Sequence, residues 1–180
     1  SWSHFDFEKG RYKWAEVAKA ISNFEKVNMI IHPEDIETAK KLLHNSVNIY
    51  EFQNDDCWAR DSGATFLIND QKKLGGVDWE FNGWGKFSPH DSDNKIAKFM
   101  IDKSSATYFK SQMVLEGGSI HVDGASTLIT TEQCLLNKKR RPIGRLIQAI
   151  IKYKDYFLSL TSSKSTSVTS SCGFSEALPS

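Results

Sequence analysis

Apolar positions along this chain keep two rhythms, one of three to four residues and one of two, and their alternation predicts an α/β protein. Trp14, Val17, Ala18, Ile21 and Phe24 recur at helical spacing with Lys13, Glu16 and Lys19 between them, which predicts an amphipathic helix packed on a sheet. Val27 to Ile31 reads as a short strand. Pro33, Glu34 and Asp35 then open a helix running to about Leu43, with acids in the first turn where the macrodipole favours them. Val47 to Phe52 is the next strand, and Thr65 to Ile68 and Gly76 to Phe81 read as a hairpin. Ser92 or Asp93 caps a helix reaching Ile101, and an apolar strand ends at Val114 and Leu115. Asp123-Gly124 turns the chain into Thr127 to Thr131, and Thr130 or Thr131 caps a short helix over Glu132 to Leu136. Ile143 to Tyr156 reads as one more helix. From Ser159 onward serine and threonine dominate without apolar period, so that stretch is expected to be disordered or loosely attached.

Charge concentrates where these rhythms break. Asn54 to Gly63 reads Asn-Asp-Asp-Cys-Trp-Ala-Arg-Asp-Ser-Gly, between two predicted strands, and it is too acidic to be buried without partners. The loop asks for a cation. Phe81-Asn82-Gly83-Trp84-Gly85 sets two glycines around a large aromatic, a bend in which Trp84 either fills the core or faces a ligand. Glu116 stands directly after an apolar strand and before Gly117 and Gly118, a second acid carried by backbone that can approach a ligand closely. Asp61 and Glu116 converging on one pocket would suit a guanidinium, whose planar donors match carboxylate oxygens two at a time. Trp58 would add an indole face, worth roughly 0.5 to 2 kcal/mol towards a cation. The competing reading is that these acids brace turns or pair with Arg60.

Composition narrows the partners. The chain has 180 residues, enough for one ordinary domain or part of a larger one, and a formal net charge of +1. That balance argues against nucleic acid or an anionic membrane. The Lys138-Lys139-Arg140-Arg141 run has no interleaved aromatics and reads as a solvated face. No apolar run approaches a membrane span and Ser1 to Gly10 lacks signal-peptide character, so a cytoplasmic location is expected. Cys57, Cys134 and Cys172 have neither disulfide nor zinc spacing and are expected to be reduced thiols, with no metal bound.

Three of these stretches, Asn54 to Gly63, Val77 to Gly85 and Val114 to Gly124, resemble in order and spacing three motifs of the agmatine deiminase family. That branch of the guanidine-modifying enzymes also holds the bacterial peptidylarginine deiminases. Thr130 to Asn137 resembles a fourth motif, and the resemblance covers about residues 5 to 142. It implies a pentein, an αβ-propeller of five ββαβ-type units, of which this chain would hold roughly the first two to three. Residues 1–142 would be the N-terminal part of the family domain and 143–180 a tail outside it. Carried over by motif, Asp61 grips the substrate guanidinium, Trp58 and Glu116 line the pocket, and Trp84 shapes its wall. The implied reaction hydrolyses agmatine to N-carbamoylputrescine and ammonia without cofactor. A cysteine thiolate attacks the guanidinium carbon and a histidine moves the protons.

The departures define the rest of the expectation. The family's nucleophilic cysteine and catalytic histidine motifs belong to the second half of a chain about twice this long and do not occur in this sequence. His121 and Asp123 sit in the Leu-Glu-Gly-Gly motif and read as structural. Cys57 is surrounded by acids that would suppress its thiolate. Ala64 replaces the proline usual after Asp-Ser-Gly. The chain therefore reads as a truncated or frame-shifted deiminase holding the gripping part of the site, inactive alone, partly open, and marginally stable or homo-oligomeric. The alternatives are a peptidylarginine or arginine deiminase relative, or a non-catalytic module that binds a guanidinium or a partner.

Overall fold

A computed structural model describes residues 7–123, 127–135, 137, 139 and 167–168, which divide into two compact units, Ser1–Asn54 and Asp55–Ser180. In the first, helix α1 (Phe7–Ile21) precedes strand β1 (Val27–Ile31), a 3-10 turn (Pro33–Asp35), helix α2 (Ile36–Leu42) and strand β2 (Val47–Glu51). The strands pair in parallel from Val27 opposite Val47 to Ile31 opposite Glu51, with Asn48 donating across the pair to Asn28 at 3.0 Å. Parallel strands need a crossover, and α2 supplies it, burying Ala39.

The helix α1 differs from its expected packing. Its buried positions are Ala15 and Ala18, while Trp14, Val17, Ile21 and, beyond its end, Phe24 stay exposed. Small side chains let a helix approach its neighbour closely, so the contact line follows the alanines, and the larger stripe lies off it. The helix lies against α2, where Arg11 pairs with Asp35.

The second unit holds the expected hairpin. Strand β3 (Thr65–Ile68) runs antiparallel to β4 (Leu74–Glu80), and β4 runs parallel to β5 (Thr107–Val114) after helix α5 (Ile96–Ser104) has crossed over. Ile96, Ala97 and Ile101 of α5 are buried, and a Cβ at Gly76 would fall 2.4 Å from Ile101, so the helix sits directly on that bare stretch of β4. Val77, Trp79 and Leu115 form a core cluster with Leu67, Phe109, Met113, Ile120 and Leu135 around it. The Trp79 indole keeps its polar edge satisfied by donating to Thr65 Oγ1 at 2.8 Å.

A third sheet repeats the plan. Strand β6 (Ile120–Val122) is antiparallel to β7 (Thr127–Thr130), and β7 is parallel to β8 (Ser167–Val168), with helix α6 (Glu132–Leu135) following β7. Two successive ββαβ arrangements preceded by a βαβ piece are the two to three units of a partial pentein, as the motif resemblance implied. Ser167–Val168 extends the third sheet, while the predicted helix at 143–156 and the rest of the expected tail lie outside the described residues. Among the described residues, no helix is long and apolar enough to cross a membrane.

Candidate functional site

The acidic loop after β2 folds into a short helix, α3 (Ala59–Ser62), whose first turn is set by the Trp58 carbonyl accepting from Asp61 N at 2.9 Å and Ser62 N at 3.2 Å. Its acids have separate duties. The Asp55 carboxylate accepts from Ser92 N at 2.7 Å and Asp93 N at 3.2 Å. Asp93 answers in kind, its carboxylate accepting from Asp55 N at 2.7 Å and Asp56 N at 3.3 Å. Asp93 is almost fully buried, and that burial pushes its carboxyl up while the Asp55 and Asp56 amides pull it back. Asp56 accepts from Cys57 N at 2.7 Å. Asp55 and Asp56 are thus engaged by backbone amides, which leaves Asp61 as the loop's candidate for a cation.

Asp61 is different. Its Oδ1 accepts from Gly118 N at 3.0 Å and its Oδ2 from the Trp84 indole at 3.2 Å. Both donors are neutral, and among the described residues no lysine or arginine forms an ion pair with it. A carboxylate offers about four lone-pair sites. Two are used here, one on each oxygen.

Trp84 reaches Asp61 from an unusual backbone. Gly83, Trp84, Gly85 and Lys86 of α4 (Gly83–Lys86) have φ of 59°, 55°, 88° and 68° in succession. Lys86 N donates to Asn82 O at 2.7 Å and Phe87 N to Gly83 O at 2.8 Å, so the four residues form one turn of left-handed helix. Glycine accepts this conformation freely, but a tryptophan or lysine there costs on the order of 1 to 2 kcal/mol. The surroundings hold it: Asn82 Oδ1 accepts from Gly85 N at 2.9 Å, and the buried Phe81 ring meets the Trp84 ring edge to face at 5.2 Å. The bend expected from sequence is thus a left-handed turn, and Trp84 both packs on the core and aims its N–H at an acid.

The third contributor is the turn after β5. Glu116 is buried, and its carbonyl accepts from Ser119 N at 2.9 Å and Ser119 Oγ at 2.6 Å, tightening a 3-10 turn over Gly117–Ser119. The two glycines are a contact requirement. A Cβ at Gly117 would lie 2.4 Å from the Arg60 carbonyl, and one at Gly118 would lie 2.1 Å from Asp61 Oδ1. Arg60 donates to Ile120 O at 3.3 Å. Trp58 stands at the N-terminal end of α3 with 45% of its surface exposed.

Three of the predicted motifs therefore meet at one carboxylate, through Asp61, Trp84 and Gly118. Sequence reasoning missed Gly118 as a donor and read Asp93 only as a helix cap. The signal for Gly118 was the pair of glycines directly after an acid, whereas nothing local betrays a bond across 37 residues from Asp93 to Asp56. Cys57 stands exposed in the loop, yet partial desolvation first, and Asp56 second, push its thiol up. That direction is wrong for a nucleophile. Among the described residues no group of His, Cys, Asp and Glu is placed to hold a metal ion.

The family described as Porphyromonas-type peptidyl-arginine deiminase matches residues 1–157. A Legionella pneumophila protein named "Putative agmatine deiminase" is 44% identical over 145 residues, covering 79% of this chain and 42% of that protein. The agmatine deiminase of Ectopseudomonas mendocina is 44% identical over 133 residues, covering 70% of this chain and 36% of its own length. Among solved structures, the Enterococcus faecalis agmatine deiminase superposes with a TM-score of 0.72 at 36% identity, over 77% of this chain and 40% of the enzyme. The chain spans about two fifths of the length of these relatives.

Proposed function

Because this chain belongs to the Porphyromonas-type peptidyl-arginine deiminase family, we propose that its three converging loops are the guanidinium-gripping part of an agmatine deiminase site. The observation that carries the reading is the setting of Asp61, whose two oxygens are fixed by the Gly118 amide and the Trp84 indole while no lysine or arginine among the described residues pairs with it. A fixed carboxylate with a lone-pair site spare on each oxygen suits two parallel N–H donors from one guanidinium. In this reading Trp58, exposed at the start of α3, would supply an aromatic face, and the buried Glu116 would be the second acid. Asp61 would orient the guanidinium carbon for attack by a cysteine thiolate, with a histidine moving the protons. With the Cys57 thiol pushed the wrong way, we expect this chain to bind agmatine without turning it over.

The substrate class is a small guanidinium, with an arginine side chain as the competing ligand. The cytoplasm is the expected location, and self-association is the expected result of the sheet edges at β3 and β5. Calorimetric titration of the chain with agmatine and with a blocked arginine amide tests the reading. The expected result is saturable agmatine binding that Asp61→Ala abolishes and Cys57→Ala leaves intact. Absence of binding, or binding indifferent to Asp61→Ala, would overturn it. Release of ammonia by the chain alone would overturn the expectation that it performs no chemistry.

A further inference from the structure

The Trp84 to Asp61 bond joins two loops 23 residues apart, and both loops are fastened to the same short turn. That turn is the 3-10 segment Asp93–Lys95 in front of α5. From its first residue, Asp93 Oδ1 reaches the Asp55 and Asp56 amides at 2.7 and 3.3 Å, and Asp55 Oδ2 returns bonds from Ser92 N and Asp93 N at 2.7 and 3.2 Å. From its second residue, Asn94 Oδ1 accepts from Phe81 N at 2.7 Å and Asn94 Nδ2 donates to Glu80 Oε1 at 3.1 Å. Phe81 is 2% exposed and carries Trp84 on its ring. A closed circuit results, from Asp61 through Trp84 and Phe81 to Asn94, on to Asp93, and back through Asp55 and Asp56 along the backbone to Asp61.

We propose that Asp93 and Asn94 are positioning residues for the guanidinium site, a buckle that fixes where the Asp61 carboxylate and the Trp84 indole meet. The claim rests on the guanidinium reading for its functional consequence, but its structural content stands apart from it. Neither side chain bonds to Asp61 or Trp84 directly. Each instead holds the backbone that aims one of them. The left-handed turn makes such an anchor necessary, since a tryptophan at φ 55° stays there only when its surroundings over-determine it. Hydrogen-bonded networks of this kind act as units, so removing one member is felt at the others. Asp93 needs an acceptor oxygen rather than a charge for this task, because the groups it holds are backbone amides; the charged and titratable neighbours facing it are Asp55, Asp56 and Cys57.

The test follows the indole N–H of Trp84 by nuclear magnetic resonance of the whole chain, its signal assigned by loss in Trp84→Phe. Agmatine affinity is measured on the same samples. Asp93→Ala and Asn94→Ala are each expected to move that resonance toward a free indole and to weaken agmatine binding roughly tenfold or more, the scale expected when a site is mispositioned from a distance. Asp93→Asn retains the Oδ1 acceptor and is expected to keep both readouts near wild type. An unmoved Trp84 resonance in Asn94→Ala, with the amide spectrum still dispersed, overturns the proposal even if Asp93→Ala fails to fold. If Asp93→Asn shifts the signal as far as Asp93→Ala does, the acceptor role is overturned. Should the wild-type chain bind no agmatine, the guanidinium reading fails, and the indole resonance still decides whether the buckle exists.

Discussion

Asp78 lies buried in the middle of β4, its Oδ2 accepting from the Tyr108 hydroxyl at 2.7 Å and from Lys110 Nζ at 3.3 Å. Asp61 lies where three loops meet, half-buried, and is held by an amide and an indole. Both acids are well fixed, and the difference lies in what fixes them. A carboxylate matched by a lysine has its charge answered within the protein, and its removal is felt as stability. A carboxylate oriented by neutral donors keeps its charge for something else. Position along the sequence does not separate the two, since both sit in or beside apolar strands; the identity of the donors does.

The largest test sets the two acids against each other. Asp61→Asn keeps the outline of the side chain, removes the charge and sets an amide NH2 against one of the two donors, and is expected to weaken agmatine binding about 100-fold, the scale of losing charge-assisted hydrogen bonds, while costing about 1 kcal/mol of stability. Asp78→Ala should do the opposite, costing about 2 kcal/mol of stability for a buried, bonded acid while the folded fraction binds normally. Parallel calorimetry and denaturant melts measure both effects. If the two substitutions behave alike, the distinction drawn from their donors fails.

The next effect sharpens the Asp61 side. Gly118→Ala would place a Cβ 2.1 Å from Asp61 Oδ1, so the carboxylate must move. Affinity for agmatine should fall by roughly 30-fold, between the loss of the charge and the loss of one hydrogen bond. Trp84→Phe keeps a ring to pack on Phe81 but deletes the donor to Oδ2, with an expected loss of about tenfold. Binding unaffected by either change would mean that Asp61 is not oriented by its neutral donors.

These residues also show how far the sequence could be read. The hairpin at 65–80, the parallel strands of the first unit and the α5 crossover follow from periodicity, and part of their apolar residues forms the core: Val47, Val77, Trp79, Ile96, Ala97 and Ile101 are buried, while Phe66, Ile68 and Leu74 stay exposed. The strand β5 was legible only at its end, since Thr-Tyr-Phe-Lys-Ser-Gln mixes polar and apolar positions without clean alternation. Asp61, Trp84 and the glycines after Glu116 were recognisable as motifs, yet their meeting point depends on bonds spanning 23 and 57 residues. The stripe on α1 misled because periodicity predicts a face and not which neighbour covers it. The duties of Asp55, Asp56 and Asp93 were hidden for a related reason: acids that serve backbone amides look, in sequence, like acids that await a cation.

On the Asp78 side, pH gives a smaller effect with a definite sign. Burial first, and the Asp78 carboxylate second, push the Tyr108 phenol up to about 12 from its ordinary 10.0. The folded chain then holds that proton more tightly than the unfolded chain does. The stability this group contributes is therefore fully present below pH 10 and is lost as the pH rises from 10 to about 12. Tyr108→Phe should flatten that decline in urea melts across the same window. A slope equal in the two proteins would show that the phenol does not report on Asp78.

The smallest effect isolates the strain that brings Trp84 to Asp61. Lys86 closes the left-handed turn at φ 68° and is exposed, so its backbone is strained while its side chain has no buried role. Lys86→Gly should stabilise the chain by about 1 kcal/mol through relief of that conformation, offset in part by the greater freedom of glycine in the unfolded state. Agmatine affinity should stay within a factor of two, because the left-handed turn is retained by Gly83, Gly85 and the Asn82 bond to Gly85 N. A gain in stability with unchanged affinity would place the strain in the scaffold. A gain accompanied by weaker binding would mean instead that a stiff residue at this position helps keep the indole aimed, and that the orientation of Asp61 depends on the turn's rigidity as much as on its shape.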